Sequence, residues 1–490
     1  MAMTATPSGS LLYAVRPRVI AKRVGQLAVI LAGLTVVPLL VSLALSELHV
    51  AARLALVILM LAVGGAWLAS RAAPRSIQVN EGLVVCALTF ILAPLALSFP
   101  LMASGIDFRD ALFECISGIT TTGLSTLGSV EAHSPAFLFE RAWMQWVGGL
   151  GIVVLSVALL AGDDMAARRL VESPVSQDTL ETSTRWHARR SLMTYGLLTI
   201  ASIPLLWLAG WSAFDALVYA LAAVSTGGFA PYDASLAAAP WPARFAVVGV
   251  ALLGAVSLPL YHAVWRRGWR ALAQDVEWRL LLVASGLTAV ALMLLMARAQ
   301  GWVWSPKLAA SALVMAISAQ TTSGFETLSP AGLDNASLLT LIVAMTVGGS
   351  VGSTAGGIKL LRWLMLWRLA QLILRRTAMP SRAVAVLRVR GEAVSGDVIT
   401  GALFLALLFV LTVALSWLPF LAMGHDPMRA LFEVVSAVGT VGLSSGVTSP
   451  DLHPALMGVL CIDMLMGRVE FVALLVMLLP RTWIGRRRSE

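Results

Sequence analysis

The chain has 490 residues, of which 58% are hydrophobic and only 12% charged. Soluble domains carry about 25% charged residues, so this composition excludes a soluble globular protein and indicates a polytopic membrane protein. The net charge of +9 then reads as topogenic arginine and lysine rather than as a nucleic-acid surface.

Residues 1–23 are basic, with Arg16, Arg18, Lys22 and Arg23. The apolar run at 24–46 is longer than a signal-peptide core and lacks a small-residue cleavage pattern, so it reads as a retained transmembrane helix. Further spans are expected at 51–70 and 82–103, with a kink at Pro94. Cys86, Cys115 and Cys461 and the six scattered histidines show no disulfide or metal-ligand spacing.

From here one unit recurs four times. Asp110-Ala111-Leu112, Asp215-Ala216-Leu217, Ser311-Ala312-Leu313 and Arg429-Ala430-Leu431 each stand thirteen to eleven residues before a glycine. The segments ending there stack as Thr120-Thr121-Thr122-Gly123, Ser225-Thr226-Gly227-Gly228, Thr321-Thr322-Ser323-Gly324 and Gly439-Thr440-Val441-Gly442. Threonine fills the second column and glycine the fourth in all four. A helix cap explains one such loop, since C-caps favour glycine; it does not explain four in register.

The unit is a helix, a short re-entrant helix, a polar glycine loop and a second helix. The outer helices are expected at 82–103 and 137–161, 189–209 and 242–265, 277–297 and 336–374, and 396–420 and 453–480. The middle stretches are too short to cross about 30 Å of hydrocarbon. The fold class is therefore an all-α polytopic membrane protein, with four pseudo-symmetric repeats around a central pore and two extra N-terminal helices. Its divisions are 1–76, 77–170, 171–272, 273–392 and 393–490. Segments with many basic residues (Arg16–Arg23; Arg71 and Arg75; Arg168–Arg190; Arg266–Arg270; Lys359–Arg390; Arg481–Arg488) alternate with segments that have few. This asymmetry predicts that both termini are cytoplasmic and all four loops outside.

Non-helical backbone survives at membrane depth only where protein buries it or water reaches it. Four loops sharing one axis satisfy that condition. Their carbonyls and threonine hydroxyls can replace the hydration shell of a cation, and the short helices aim their partly negative C-termini at it. The four loops contain no carboxylate, which suits a weakly hydrated monovalent ion. The expected ion ligands are Thr120, Thr121, Ser225, Thr226, Thr321, Thr322, Gly439 and Thr440, within a filter of all sixteen loop residues.

Two further features are singled out. The run Gly348-Gly349-Ser350-Val351-Gly352-Ser353-Thr354-Ala355-Gly356-Gly357-Ile358-Lys359 interrupts an expected span. Each glycine costs a helix about 1 kcal/mol relative to alanine, and broken spans mark transport sites. The run reads as a flexible plug beneath the filter, with a helix-packing face as the alternative. It is not a phosphate loop, because Ile358 precedes the lysine and Leu360 stands where Ser or Thr is required. The second feature is Arg468, near the middle of the last apolar run, where burial costs at least about 2.5 kcal/mol. It must face a cavity or a partner; an interhelical salt bridge is the bland alternative. Glu114 and Glu433 occupy equivalent places in the first and fourth short helices and read as supports behind the filter.

On these motifs the chain resembles the Trk/Ktr/HKT superfamily of potassium transporters, over about residues 20–485. Thr440-Val441-Gly442-Leu443 is similar to a potassium-channel filter with Leu at the aromatic position. The two extra N-terminal spans and Met466-Gly467-Arg468-Val469-Glu470 resemble the TrkH branch. The resemblance implies potassium uptake through the bacterial inner membrane without enzymatic activity. It implies a gate at 348–359 with Arg468 below the filter, either as an electrostatic barrier or as a support for the plug. It also implies a homodimer and a cytosolic TrkA-like nucleotide-binding subunit, with no organic cofactor. In plant relatives a filter Ser in place of Gly accompanies sodium transport, so four glycines favour potassium over a sodium-permeable or sodium-coupled alternative. A membrane enzyme would need a cluster of acid–base, metal or nucleophilic residues, and none is visible in the sequence.

Overall fold

The computed structural model describes residues 14–74, 77–160, 182–378, 380, 387–389 and 392–485. The expected topogenic residues Arg75, Arg168, Arg169, Arg382, Arg390 and Arg486 to Arg488 lie outside these. The helices, in chain order, are α1 Pro17–Ala44, α2 Leu48–Ala69, α3 Val79–Leu101, α4 Phe108–Ile119, α5 Pro135–Leu160, α6 Thr182–Leu208, α7 Ala213–Val224, α8 Trp241–Gly254, α9 Leu258–Arg267 and α10 Arg270–Gln274. They continue as α11 Val276–Ala299, α12 Pro306–Gln320, α13 Asn335–Val347, α14 Leu360–Arg376, α15 Gly396–Ala422, α16 Pro427–Val438, α17 Pro454–Arg468, α18 Val472–Leu478 and α19 Pro480–Trp483. One two-residue antiparallel ladder, β1 Arg388–Val389 with β2 Glu392–Ala393, is added to the expected all-α fold.

The four short helices are α4, α7, α12 and α16. Each starts on a side chain that accepts from the third backbone amide beyond it: Asp107 from Asp110, Ser212 from Asp215, Ser305 from Leu308 and Asp426 from Arg429, at 2.9–3.1 Å. Such caps satisfy one of the orphan amides at a helix start. Nearly every residue in the second half of these helices is buried. Their apolar sides enter common clusters with the longer helices, for example Phe113, Met315, Met345, Phe432 and Leu460. The longer helices leave apolar side chains such as Leu40, Leu59, Leu208, Leu287 and Leu407 exposed. Faces of that kind suit hydrocarbon rather than water.

Six described helices are long and apolar enough to cross a membrane, or seven if α8 and α9 form one bent span. Three expected outer spans are not single helices. The break of 336–374 between α13 and α14 is the anticipated one. The expected continuous helix at 242–265 instead turns by 91° between α8 and α9. The second segment restarts with Pro259 in its first turn, where proline's missing N–H costs nothing. The expected helix at 453–480 also breaks, because Glu470 and Phe471 take left-handed φ of 54° and 61°. Arg468 is therefore the last residue of α17, not a mid-helix residue.

Candidate ion-conduction site

Each short helix ends in the same backbone pattern. The first loop residue is the C-cap and stays right-handed, with φ between −82° and −77° at Thr120, Ser225, Thr321 and Gly439. The second is left-handed: φ is 53° at Thr121, 52° at Thr226, 53° at Thr322 and 50° at Thr440. Its amide donates to Gly118, Ala223, Ala319 or Ala437, and the next amide donates to Ser117, Ala222, Ser318 or Ser436. These paired bonds form a Schellman motif, whose left-handed position normally takes glycine. A β-branched residue there is an outlier, and such strain costs about 1–3 kcal/mol per site. The threonine column is thus held in place four times against its own backbone preference.

The fourth residue is left-handed as well, with φ of 97°, 83°, 69° and 93° at Gly123, Gly228, Gly324 and Gly442. A Cβ at each would also collide with the third-column carbonyl of a neighbouring loop. Gly123 faces Gly227 O, Gly228 faces Ser323 O, Gly324 faces Val441 O and Gly442 faces Thr122 O. The contacts run from repeat one to two, three, four and back to one. The third and fourth columns of the four loops therefore close into one ring.

Side chains behind the ring fix it. Ser117 and Ser436 hydroxyls accept from the amides of Gly123 and Gly442 at 3.0 and 3.1 Å. Gln145 Oε1 accepts from Phe229 N at 3.0 Å while its amide donates to Gly227 O, so α5 holds the second loop from both sides. Glu114 pairs with Arg141 at 2.8 Å, both buried. Glu433 accepts from Ser444 and Ser445 hydroxyls and from the amides of Ser445 and Thr448, at 2.8–3.2 Å. Glu114 also accepts from the Ser125 hydroxyl, so both glutamates contact the chain just beyond the filter loops, not the loops' own second and third columns.

The glycine run 348–359 lies directly against the helix-side end of this ring. Gly356 N donates to Thr322 Oγ1 at 2.7 Å, and Gly357 N donates to Gly439 O at 3.1 Å. A Cβ on Gly356 would collide with Gly439 O and Thr440 Oγ1. Thr354 Oγ1 lies 3.3 Å from Thr226 Oγ1, 3.1 Å from Val224 O and 3.0 Å from Gly254 O. The run is buried, not a solvent-exposed linker: Ser353, Thr354 and Lys359 are each at most 7% exposed. Lys359 folds back on it, donating from Nζ to Ala355 O at 2.7 Å. Gln320 Nε2 donates to Gly348 O at 2.7 Å. The filter threonines divide accordingly. Thr226 and Thr322 bond to the run, whereas the buried hydroxyls of Thr121 and Thr440 have no hydrogen-bond partner among the described residues.

Arg468 is buried and donates from Nη1 to Thr354 O at 2.8 Å and from Nη2 to Gly148 O at 3.0 Å. It forms no salt bridge among the described residues. Glu470 instead pairs with Arg362 at 2.6 Å. Arg362 is a buried ion-pair partner.

One recurring signal lay outside the sequence expectations. A glycine follows each filter glycine by 24 to 26 residues: Gly148, Gly254, Gly348 and Gly467. A Cβ at Gly148, Gly254 or Gly467 would strike the last carbonyl of the facing short helix, at Ile119, Val224 or Val438. Gly148, Gly254 and Gly467 let the second outer helix of repeats one, two and four pass against the base of the filter, whereas Gly348 packs against Gly356 and Gly357 of the glycine run.

The comparisons agree with this architecture. The family model TrkH, described as a cation transport protein, matches residues 49–482. The Trk system potassium uptake protein TrkH of Escherichia coli strain K12 is 28% identical over 486 residues, covering 95% of this chain and 99% of that protein. The Trk system potassium uptake protein TrkI of Halomonas elongata is 30% identical over 482 residues, covering 95% and 96%. The crystal structure of the potassium transporter TrkH from Vibrio parahaemolyticus superposes with a TM-score of 0.86 at 26% identity, covering 96% of this chain and all of that one. With its family match spanning most of its length and its repeats closed into one ring, the chain belongs to the TrkH family of cation transport proteins.

Proposed function

We propose that this protein takes up potassium across the bacterial plasma membrane, through a filter built from the four loops and gated by residues 348–359. The closed ring of carbonyl–glycine contacts carries this reading. A ring of backbone oxygens without carboxylates suits a weakly hydrated monovalent cation. The four short helices end at its base, where their partly negative termini favour positive charge. Thr121, Thr226, Thr322 and Thr440 supply hydroxyls at that level. The names of the relatives as potassium uptake proteins of the Trk system support the choice of ion.

In this reading the glycine run is the gate, supported by its bonds to Thr322 and Gly439 at the base of the ring, and Arg468 steadies it through Thr354 O. Both termini are assigned to the cytoplasm by the positive-inside rule. The assembly proposed is a homodimer working with a cytosolic TrkA-like nucleotide-binding subunit. Growth of a potassium-uptake-deficient bacterium at low potassium, with that subunit co-expressed, tests the proposal. Rescue is expected. Absence of rescue, with the protein shown in the membrane, overturns it; rescue of sodium flux alone favours a sodium transporter of the same fold.

A further inference from the structure

We propose that Glu277 is a latch that holds the gate shut, and that the elbow formed by α8 to α11 is the gate's handle. The inference rests on the reading of 348–359 as a gate. Glu277 is the second residue of α11 and is 1% exposed. Its Oε2 accepts the backbone amide of Val351, inside the glycine run, at 2.7 Å across 74 residues of sequence. A bond from an amide to a carboxylate is roughly twice as strong as a neutral one. The position of Glu277 is itself fixed, because Asp275 caps α11 by accepting from Trp278 N at 2.8 Å.

The run divides into two halves by what it touches. Residues 356–359 bond to Thr322, Gly439, Thr346 and Val347, at the filter base and the end of α13. The backbone of residues 350–354 bonds to the elbow, while the Thr354 hydroxyl also reaches Val224 O and Thr226 at the filter base. Ser350 N donates to Ala255 O at 3.1 Å, Thr354 N to Gly254 O at 3.3 Å, and Leu258 N to Gly352 O at 3.1 Å. All three partners lie at the 91° turn between α8 and α9. Glu277 adds a further grip from the far end of the same elbow. Beyond the turn the elbow presents Trp265 and Trp269, 86% and 79% exposed, beside Arg266, Arg267 and Arg270. A displacement of this surface reaches the gate through the Glu277 carboxylate, three backbone bonds and the Thr354 hydroxyl on Gly254 O, because α9, α10 and α11 are joined by short connections.

Rubidium and sodium fluxes of the full chain in proteoliposomes test the latch, using Glu277→Leu, Glu277→Gln and a deletion within 350–355. Glu277→Leu leaves the Val351 amide without its acceptor and is expected to raise basal rubidium flux about tenfold, the effect of losing one charged hydrogen bond. The rubidium-to-sodium ratio should stay unchanged, since the filter ring is untouched. Glu277→Gln retains an acceptor oxygen and should raise flux less. Wild-type flux in Glu277→Leu while the deletion raises flux overturns the latch alone; silence in both overturns the gate. Should Glu277→Leu fail to reach the membrane, hydrogen exchange on the wild-type protein decides: slow exchange at Val351 supports the latch and rapid exchange there overturns it.

Discussion

Arg468 Nη1 donates to the carbonyl oxygen of Thr354 at 2.8 Å, which ties the break in the last span to the centre of the glycine run. The same guanidinium reaches Gly148 O at 3.0 Å. One side chain therefore bridges repeat four, the run in repeat three and the second helix of repeat one. A planar fork does this with fixed geometry, whereas a lysine is a single point charge on a flexible stem.

Arg468→Lys separates the two roles open to this residue. As a clamp, Arg468 loses at least one charged hydrogen bond, worth about 1.5–3 kcal/mol, and basal rubidium flux in proteoliposomes rises about tenfold or more. As an electrostatic barrier the retained charge keeps flux low. The clamp is the expected outcome.

Gly442→Ser introduces a Cβ where Thr122 O lies, at a residue with φ of 93°. Both the collision and the left-handed strain push the fourth loop off the ring. Potassium-over-sodium selectivity should fall by about tenfold, which corresponds to about 1.4 kcal/mol, within the usual range of such strain. Unchanged flux ratios would remove Gly442 from the filter.

Thr440→Gly exchanges a strained threonine for the residue its backbone prefers. The relief of left-handed strain and the greater chain entropy lost by glycine oppose each other, so thermal stability should change by less than about 1 kcal/mol. Transport should nevertheless fall, because the Thr440 hydroxyl is buried without a hydrogen-bond partner among the described residues. A melting temperature that drops sharply, with transport retained, would make the threonine structural.

Gly467→Ala drives a methyl into Val438 O, and Gly148→Ala drives one into Ile119 O. Overpacking of this kind costs about 1–3 kcal/mol, so both variants should melt lower in detergent than the parent. Gly249→Ala is the control, since nothing lies within 4 Å of its added Cβ. Equal melting of all three would show that the close approach is dispensable.

Much of this site is legible in the sequence. The fixed distance from Ala111, Ala216, Ala312 and Ala430 to a glycine located the four loops. The density of glycine from Gly348 to Gly357 marked a break in a span. The caps at Asp107, Ser212 and Asp426 share one spacing, with Ser305 one turn earlier, and the glycines at 148, 254 and 467 recur as well, but none carries a sign of its purpose. The caps act within a single turn, and each of these glycines meets the end of the short helix in its own repeat, 29 or 30 residues earlier, a contact that only the folded hairpin creates. The breaks after Gly254 and Arg468 were hidden for a related reason. Apolar composition continues across both, and hydropathy records apolar length rather than backbone continuity.

The sequence by itself determined that the chain resides in a membrane, that it is built from four like units, and that each unit ends in a threonine–glycine loop. Those properties are local or periodic, and hydrophobic runs and residue spacing express them directly. Only the tertiary structure decided that the loops close into a ring, that threonine takes the left-handed position in each, and that Arg468 holds a carbonyl rather than a carboxylate. It also decided that Glu277 grips Val351. The ring and the Arg468 contact are pairings across repeats, the Glu277 contact joins two segments of repeat three, and the left-handed threonines are held by the end of the helix before them. Buried polar groups must find partners, but which partner they find is fixed by how the helices pack.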